Sequence, residues 1–307
     1  MKAKEIKFIA TNGTMLPGVI WYPTCTPTAV VQITHGMTEH IQRYEQLAEY
    51  FTDYGIAVAG FDLRGHGKNP GDIHCASFGK NGWKATLHDM HLFYLELESL
   101  IPHVPHFMLG FSLGSFLVRE YLNTYFDKLD GAILIGTGQQ IGAVLHLLKV
   151  AVKKEIWKYG FDNPTPRVTR LSFDAYNKRF APCKTSMDWF CSDADQLTEY
   201  RNDPLCRKTI SSGLFWQLLD SMKRTGSTVS HRRWDKQMPV LLLSGQDDAV
   251  GDFGHGLQKV KKSMLNAGMQ DVQLYLLPGR HDLLHEYENG SSDEAMDILT
   301  NWLFEKI

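Results

Sequence analysis

The sequence has few cysteines, and they do not form a recognisable framework. There are five of them in 307 residues, an odd number, and no two have the Cys-x-x-Cys spacing of zinc and redox motifs. We therefore expect reduced thiols rather than a disulfide scaffold or a cysteine-based zinc site.

Long apolar runs and strong charge are also missing. No stretch approaches the roughly 18 uninterrupted apolar residues of a membrane-spanning helix. The charged residues 1–7 are not followed by the apolar segment of a secretory signal. A formal net charge of −2, without a long Lys/Arg run, gives no attraction for phosphate backbones. These absences predict a cytoplasmic protein that does not bind nucleic acid.

Apolar residues are abundant. They make up 43% of the chain against 21% charged residues, which is enough to bury a large core and too much for a disordered chain. The length suits a single α/β core with an inserted segment.

Short apolar runs alternate with amphipathic segments along most of the chain. Residues 4–10 and 15–22 flank an Asn-Gly turn, which predicts an antiparallel hairpin. Further strands are predicted at 29–34, 55–63, 106–111, 131–137, 239–244 and 272–277, and helices at 41–54, 84–100, 114–125, 254–267 and 293–304. This alternation predicts a mostly parallel, eight-stranded sheet with helices on both faces.

The alternation stops between residues 138 and 230. That stretch has helical segments at 143–159 and 212–222, loops rich in Pro, Asp and Asn, and no clear strand pattern. We predict a helical cap, or lid, at 139–230, inserted after the sixth strand into a core formed by 1–138 and 231–307.

A G-x-S-x-G pattern stands where a predicted strand meets a predicted helix. It reads Gly110-Phe111-Ser112-Leu113-Gly114. Such a turn lifts the serine hydroxyl above the sheet edge, and its glycines avoid collisions with the neighbouring strand and helix. We predict Ser112 to be a nucleophile rather than a helix-capping residue.

A serine nucleophile needs a base, and the base needs an orienting acid. Candidates for both follow later predicted strands: Asp247 and Asp248 after one, and His281 after the last. The order Ser, Asp, His is the one found in α/β-hydrolases.

Several segments together resemble one branch of the α/β-hydrolases, the monoacylglycerol lipases and lysophospholipases, which are grouped with serine aminopeptidases. They are His35-Gly36-Met37 and residues 62–67, 110–114, 245–248 and 279–282, in family order and spacing. Residues 188–189 and 200–206 are similar to the cap of bacterial members. The resemblance implies the α/β-hydrolase fold and hydrolysis of a carboxylic ester through an acyl-enzyme.

The family register also ranks neighbouring candidates. Aligning Gly-x-x-Asp on Gly245 selects Asp248 as the acid and leaves Asp247 as its rival. His281 is preferred to His285 and His255 because only His281 directly follows a strand-ending Pro-Gly.

Two backbone N–H groups are candidates for an oxyanion hole. One is that of Leu113, at the helix start after Ser112. The resemblance points to Met37 for the other, with Gly36 letting the chain turn inward and His35 in a structural role. We expect Arg64 and His66 to brace this loop by hydrogen bonds.

No metal or cofactor is predicted. His88, Asp89 and His91 have a helical spacing that suits a metal, but no further ligand cluster accompanies them. The proposed chemistry requires neither.

The cap is rich in bulky apolar residues, many of which must pack it against the core. With the resemblance, this favours a small-molecule lipid ester with one acyl chain, a monoacylglycerol or a lysophospholipid. The candidate substrate contacts are Phe111, Trp189, Phe215 and Trp216. Exposed apolar cap residues would also favour transient contact with a membrane surface, and nothing in the sequence indicates an oligomeric state.

Two other functions fit the same pattern. A peptidase would need an acidic patch for the substrate's α-ammonium group, for which Glu39, Asp282 and Glu286 are candidates. A catalytically silent binding protein of the same fold is the other, and an intact triad argues against it.

Overall fold

The computed structural model describes residues 1–69, 74–126, 128–139, 143–207 and 209–307. Its centre is an eight-stranded sheet in the order β1-β2-β4-β3-β6-β7-β9-β10. The strands of this sheet are β1 (Lys2–Ile9), β2 (Met15–Tyr22), β3 (Ala29–Thr34), β4 (Ile56–Phe61), β6 (His106–Phe111), β7 (Gly131–Ile135), β9 (Val240–Gly245) and β10 (Val272–Leu277).

The sheet is mostly parallel, as predicted. β1 and β2 form an antiparallel hairpin, and β2 also pairs antiparallel with β4. All other neighbours are parallel. The carboxyl ends of β3, β4, β6, β7, β9 and β10 therefore meet at one edge of the sheet, which is where ligands bind in open α/β sheets.

The helices are α1 (Glu45–Asp53), α2 (Gly82–Leu100), α3 (Leu113–Thr124), α4 (Ala143–Tyr159), α5 (Pro166–Asn177), α6 (Ala194–Asn202), α7 (Ser212–Thr225), α8 (Thr228–His231), α9 (His255–Asn266) and α10 (Ser291–Lys306). The segment predicted as one helix at 41–54 begins instead as a 3-10 turn, Ile41–Tyr44, before α1. Among the described residues, none of these helices combines the length and the apolar character needed to cross a bilayer.

The segment between β7 and β9 contains α4 to α8, and its described residues contribute no strand to the central sheet. It does contain one short strand that the sequence did not predict: β8 (Thr209–Ile210) pairs parallel with β5 (Cys75–Ala76). Two-residue strands carry too little periodicity to be recognised from sequence. The boundaries of the cap at 139 and 230 stay a prediction, and residues 140–142 and 208 lie outside the described part of the chain.

The core lies on both faces of the sheet. Along β6, Met108 joins one apolar cluster, while Phe107 and Leu109 join the other. Alternate side chains thus enter opposite layers, and both layers are covered by helices. This double burial explains why inner parallel strands such as β6 are continuous apolar runs rather than alternating ones.

Candidate active site

Ser112 lies on a sharp turn between β6 and α3. Its φ of 49° is unusual for a residue with a side chain, and its N–H donates to Ile135 O on β7 at 2.9 Å. A Cβ on Gly114 would lie 1.9 Å from Thr34 O, and one on Gly110 would lie 2.5 Å from Gly114 O. Glycine is therefore required at both positions if the turn is to pack this closely.

Three side chains from three strand ends form a hydrogen-bonded series. His281 Nε2 lies 2.8 Å from Ser112 Oγ, and His281 Nδ1 lies 2.8 Å from Asp248 Oδ1. Asp248 is fully buried and accepts further hydrogen bonds from Ser244 Oγ at 2.7 Å and from Val250 N–H at 2.8 Å. The structure thus brings together the three residues that the sequence selected.

The charge state of Asp248 sets the tautomer of His281. Burial alone raises the pKa of Asp248, but the neighbouring imidazole and the hydrogen bonds from His281, Ser244 and Val250 outweigh it and hold the pKa below its ordinary value. An ionised carboxylate only accepts hydrogen bonds, so Nδ1 of His281 carries the proton. Nε2 then has a free lone pair toward the hydroxyl of Ser112.

The rival residues lie elsewhere. Asp247 is exposed to solvent, and so is His255, the first residue of α9. His285 is held by Asp282, whose Oδ1 lies 2.8 Å from His285 Nδ1. None of these three side chains takes part in the hydrogen-bonded series.

The loop after β3 approaches the same edge. A Cβ on Gly36 would lie 2.9 Å from Cδ1 of Phe111, so the chain passes next to the strand that carries Ser112. In the described part of the chain, neither Met37 N–H nor Leu113 N–H donates to a protein acceptor. Both amides are therefore available for an external oxygen.

His35 holds this loop rather than taking part in the series. Its Nε2 accepts from Leu63 N–H at 3.0 Å, so its Nδ1 must be the protonated nitrogen, and it donates to Gly36 O at 2.8 Å. Burial lowers the pKa of His35 well below its ordinary value, and the nearby His66 lowers it further. His35 is a neutral bridge between the loop after β3 and the loop after β4.

Arg64 and His66 do not brace the loop by hydrogen bonds of their own, which corrects the expectation from sequence. Arg64 pairs with Asp89 on α2 through Nε and Nη2, at 2.5 and 3.0 Å. His66 donates through Nδ1 to Arg64 O at 2.8 Å and meets the loop only by packing its ring 5.4 Å from that of His35. A hydrogen bond from a guanidinium to a buried carboxylate is stronger than one to a neutral carbonyl group.

Glu39 was missed as a structural residue of this loop. Its Oε1 accepts from Gly36 N–H at 2.5 Å and from Tyr44 Oη at 2.7 Å, and its Oε2 pairs with Arg43 Nε at 3.2 Å. The available signal was its position, three residues after the loop glycine and directly before a helical turn.

Aromatic rings surround His281 from two sides. The ring centroids of Phe111 and Trp189 lie 5.1 and 5.5 Å from that of His281, and that of Phe190 lies at 6.1 Å. Phe111 and Trp189 were both predicted substrate contacts and lie at the site.

The other two predicted contacts, Phe215 and Trp216, lie next to each other on α7. Phe215 is buried in the apolar cluster that also contains Leu145 and Leu218. Trp216 faces an outer groove, with Lys149 Nζ 4.5 Å from its ring centroid. The two side chains, adjacent on the helix, therefore have different surroundings.

The three acidic residues considered for an α-ammonium site are buried and occupied. Glu39 makes the contacts given above, and Asp282 pairs with Arg43 Nη2 at 2.8 Å and with His285. Glu286 Oε1 accepts from the N–H groups of Ser192 and Arg280, both at 2.9 Å. None offers a free carboxylate oxygen to a ligand.

His88, Asp89 and His91 have partners on neighbouring elements. Asp89 is bound by Arg64 and Thr11, His88 Nδ1 lies 2.9 Å from Thr11 Oγ1, and the ring of His91 stacks on Tyr125 at 3.9 Å. These side chains hold α2 to its neighbours.

Among the described residues, one set of three possible metal ligands lies within 4.8 Å: His40, Asp203 and Cys206. His40 Nε2 and Asp203 Oδ2 are hydrogen-bonded to each other at 2.7 Å. Burial raises the pKa of the Cys206 thiol to about 12. The hydrogen bond between His40 and Asp203 joins the loop after β3 to the segment before β8.

A serine, a histidine and an aspartate in hydrogen-bonded succession above a doubly wound sheet are the mark of a serine hydrolase of the α/β-hydrolase fold. The family described as serine aminopeptidase, S33, matches residues 26–288, and the chain belongs to this family of hydrolases.

Individual relatives extend the match to nearly the whole chain. The chain is 24% identical to a monoacylglycerol lipase of Mycolicibacterium smegmatis, over 97% of this chain and 96% of that protein. It is 25% identical to the monoglyceride lipase of Homo sapiens, over 93% and 86% respectively. A thermostable carboxyl esterase from Bacillus coagulans has the same fold, with a TM-score of 0.87 at 24% identity over 99% of both chains.

Proposed function

We propose that this hydrolase cleaves the carboxylic ester of a single-chain lipid, a monoacylglycerol or a lysophospholipid, through an acyl-enzyme on Ser112. The observation that carries the proposal is the series from Ser112 Oγ through His281 to Asp248, with both hydrogen bonds at 2.8 Å. The lipase relatives support the choice of a lipid ester.

In the acylation step, Ser112 Oγ attacks the ester carbonyl carbon while its proton passes to His281 Nε2. Asp248 stabilises the imidazolium that forms and keeps the ring oriented. Collapse of the tetrahedral intermediate breaks the bond to the alcohol, which takes the proton from His281. Water, deprotonated by the same histidine, then attacks the acyl-enzyme. The bond between Ser112 Oγ and the acyl carbon breaks, the fatty acid leaves, and Ser112 Oγ takes the proton back from His281.

The negative charge of the tetrahedral intermediate needs donors that are already in place. The N–H of Leu113, at the start of α3, and that of Met37, in the loop after β3, are the two that we assign to it. Because Gly36 has no side chain, this loop can pack against Phe111. The ring of His35 donates a hydrogen bond to the carbonyl of Gly36 and so fixes that peptide.

The segment 139–230, in our proposal a cap, supplies apolar surface for the acyl chain. Trp189 lies beside His281, and Phe173 packs against Trp189 with ring centroids 4.9 Å apart. Phe173 also lines a cavity of about 510 Å³, together with Met187 and Ile210. This volume is within the usual range for small-molecule sites.

The acidic residues favour an ester over a peptide substrate. An aminopeptidase must compensate a substrate ammonium group, and the three carboxylates considered for this role already accept two or more hydrogen bonds or ion pairs each. Removing one from its partners would leave buried cations or donors without a partner.

One exposed face of α4 supports transient contact with a lipid surface. Val144, Leu147 and Trp157 are exposed there, Trp157 by 88%. The helix carries four lysines, and its single acid, Glu155, is buried against Thr165 Oγ1 at 2.6 Å. Apolar residues beside lysines suit an anionic membrane surface.

The test is an acyl-chain series of monoacylglycerols and lysophospholipids, run on the native enzyme and on Ser112→Ala. We expect kcat/KM to fall by about 10⁴-fold or more in the variant, because loss of a serine nucleophile has this scale of effect. Ser230→Ala, which removes a hydroxyl that binds Asn123 and takes no part in the hydrogen-bonded series, is the matched control.

Two results would contradict the proposal. One is ester hydrolysis that survives in Ser112→Ala. The other is faster cleavage of amino-acid arylamides than of acyl esters in a parallel assay, which would favour the peptidase. Absence of Ser112 labelling by a fluorophosphonate would support the silent binding protein.

A further inference from the structure

Thr38 follows the proposed oxyanion donor Met37 and has a backbone conformation that threonine rarely adopts. Its φ is 69°, in the left-handed region that β-branched residues rarely adopt. Contacts from elsewhere must therefore hold this residue, and with it the direction of the neighbouring amide.

The contacts on Thr38 come from the segment between β7 and β9. Arg207 N–H donates to Thr38 O at 2.7 Å, and Tyr200 Oη lies 2.6 Å from Thr38 Oγ1. Two residues on, His40 Nε2 lies 2.7 Å from Asp203 Oδ2. Three partners within residues 200–207 thus grip one short stretch of the loop after β3.

The numbers of protons on the two hydroxyl groups decide which of Thr38 and Tyr200 is the hydrogen-bond donor. The single proton of Thr38 Oγ1 goes to Met37 O, so Tyr200 must donate to Thr38. Burial raises the pKa of Tyr200, which keeps its proton in place. The chain of donors runs from Tyr200 through Thr38 to the carbonyl of Met37.

The gripping residues are themselves fixed to the core. The guanidinium of Arg207 donates through Nη2 to Gly67 O at 2.8 Å and through Nε to Gly65 O at 3.3 Å, and the residue is buried. Arg43 lies over the ring of Tyr200 at 4.7 Å. The segment 200–207 can therefore act as a rigid clamp on the loop.

We propose that Tyr200, Asp203 and Arg207 are positioning residues of the oxyanion hole: they fix Thr38 and His40, and through them the N–H of Met37. This inference rests on the proposed function, because it assigns the same loop to stabilisation of the oxyanion. It makes part of the cap a fixed component of the active site rather than a moving lid.

The first experiment compares Tyr200→Phe with the native enzyme on a short-chain p-nitrophenyl ester. We expect kcat to fall about tenfold with KM within about twofold, since complete loss of an oxyanion donor costs about 10²–10³-fold. Affinity for a trifluoromethyl ketone, whose adduct carries an oxyanion, should weaken by the same factor. Affinity for a non-hydrolysable alkyl glyceryl ether, which forms no oxyanion, should not change.

A double-mutant cycle tests whether the hydroxyl contact carries the effect. Thr38→Val should lower kcat as Tyr200→Phe does, and the two together should cost no more than one alone. Thr38→Ser keeps the hydroxyl and should restore most of the lost rate. Tyr159→Phe, at an exposed tyrosine on α4, is the matched control and should behave as the native enzyme.

Asp203→Asn is a second, independent variant, because it weakens the bond to His40 and leaves Tyr200 in place. Unchanged kcat in both Tyr200→Phe and Asp203→Asn would overturn the inference. So would a fall in kcat with unchanged trifluoromethyl ketone affinity. If the native enzyme itself cleaves no ester, the proposed function fails instead, which separates the two outcomes.

Discussion

Two residues at the site have strained backbone conformations. Ser112 and Thr38 both have positive φ, and both lie beside the amides that we assign to the oxyanion hole. Such conformations cost about 1–3 kcal/mol each and persist only where the surroundings fix them. Glycines at 110 and 114 make room for the first, and hydrogen bonds from residues 200–207 hold the second.

Asp248 gives the sharpest prediction for a single residue. Asp248→Asn should lower kcat by about 10⁴-fold with little change of fold, because an amide NH₂ facing His281 Nδ1 forces the proton onto Nε2 and removes the base. The measurement is kcat on an ester substrate at neutral pH, with circular dichroism to verify the fold.

The matched control is one residue away. Asp247 is exposed and outside the hydrogen-bonded series, so Asp247→Asn should keep near-native kcat. A loss of activity in Asp247→Asn but not in Asp248→Asn would reverse the assignment of the acid.

Among the described residues, the most exposed large apolar side chain is Trp157 on α4. Trp157→Ala should reduce partitioning onto anionic phospholipid vesicles by about tenfold, because burial of a large apolar side chain is worth about 1.5–3 kcal/mol. Stability should change by less than about 0.5 kcal/mol, as for most surface substitutions. Vesicle sedimentation measures the first quantity and urea unfolding the second.

Phe304→Ala, at a half-exposed aromatic residue on α10, controls for general loss of surface apolarity. Equal partitioning of Trp157→Ala and the native protein would mean that α4 does not face the lipid.

At the scale of the whole molecule, buried neutral histidines make stability depend on pH. Burial lowers the pKa of His66 to about 4 and those of His106 and His231 to about 3. Unfolded histidine titrates near about 6.5. Below that value the unfolded chain therefore binds more protons than the native protein.

The free energy of unfolding should thus be highest above about pH 6.5 and fall as the pH drops toward about 4. The expected slope is about 1.4 kcal/mol per pH unit for each such histidine. Urea unfolding at several pH values between 5 and 7 measures it. His231→Gln should lower the slope by about 1.4 kcal/mol per pH unit, the contribution of one buried histidine. His146→Gln, at an exposed position on α4, should leave the slope unchanged. A slope of zero in the native protein would contradict the prediction.

The sequence by itself determined the sheet, its helices and the order of the three site residues. Strands 29–34, 106–111 and 272–277 have the predicted bounds. The first two are buried on both faces, and such strands are nearly continuous apolar runs ended by turn residues. The turn at Ser112 follows from two glycines at a strand-to-helix boundary, which is also a local feature. Acid and base then follow because parallel strands end at one edge.

Only the tertiary structure decided what surrounds that series. Three contacts depend on which segments become neighbours in space: the ion pair of Arg64 with Asp89, the hydrogen bonds that Glu39 accepts, and the packing of Lys149 on the outward-facing Trp216. The hydrogen bonds from residues 200–207 to Thr38 join segments that are far apart in the chain. The hydrophobic periodicity of neither segment predicts these bonds. Local patterns fix local geometry, whereas hydrogen-bond partners across the fold are chosen by packing.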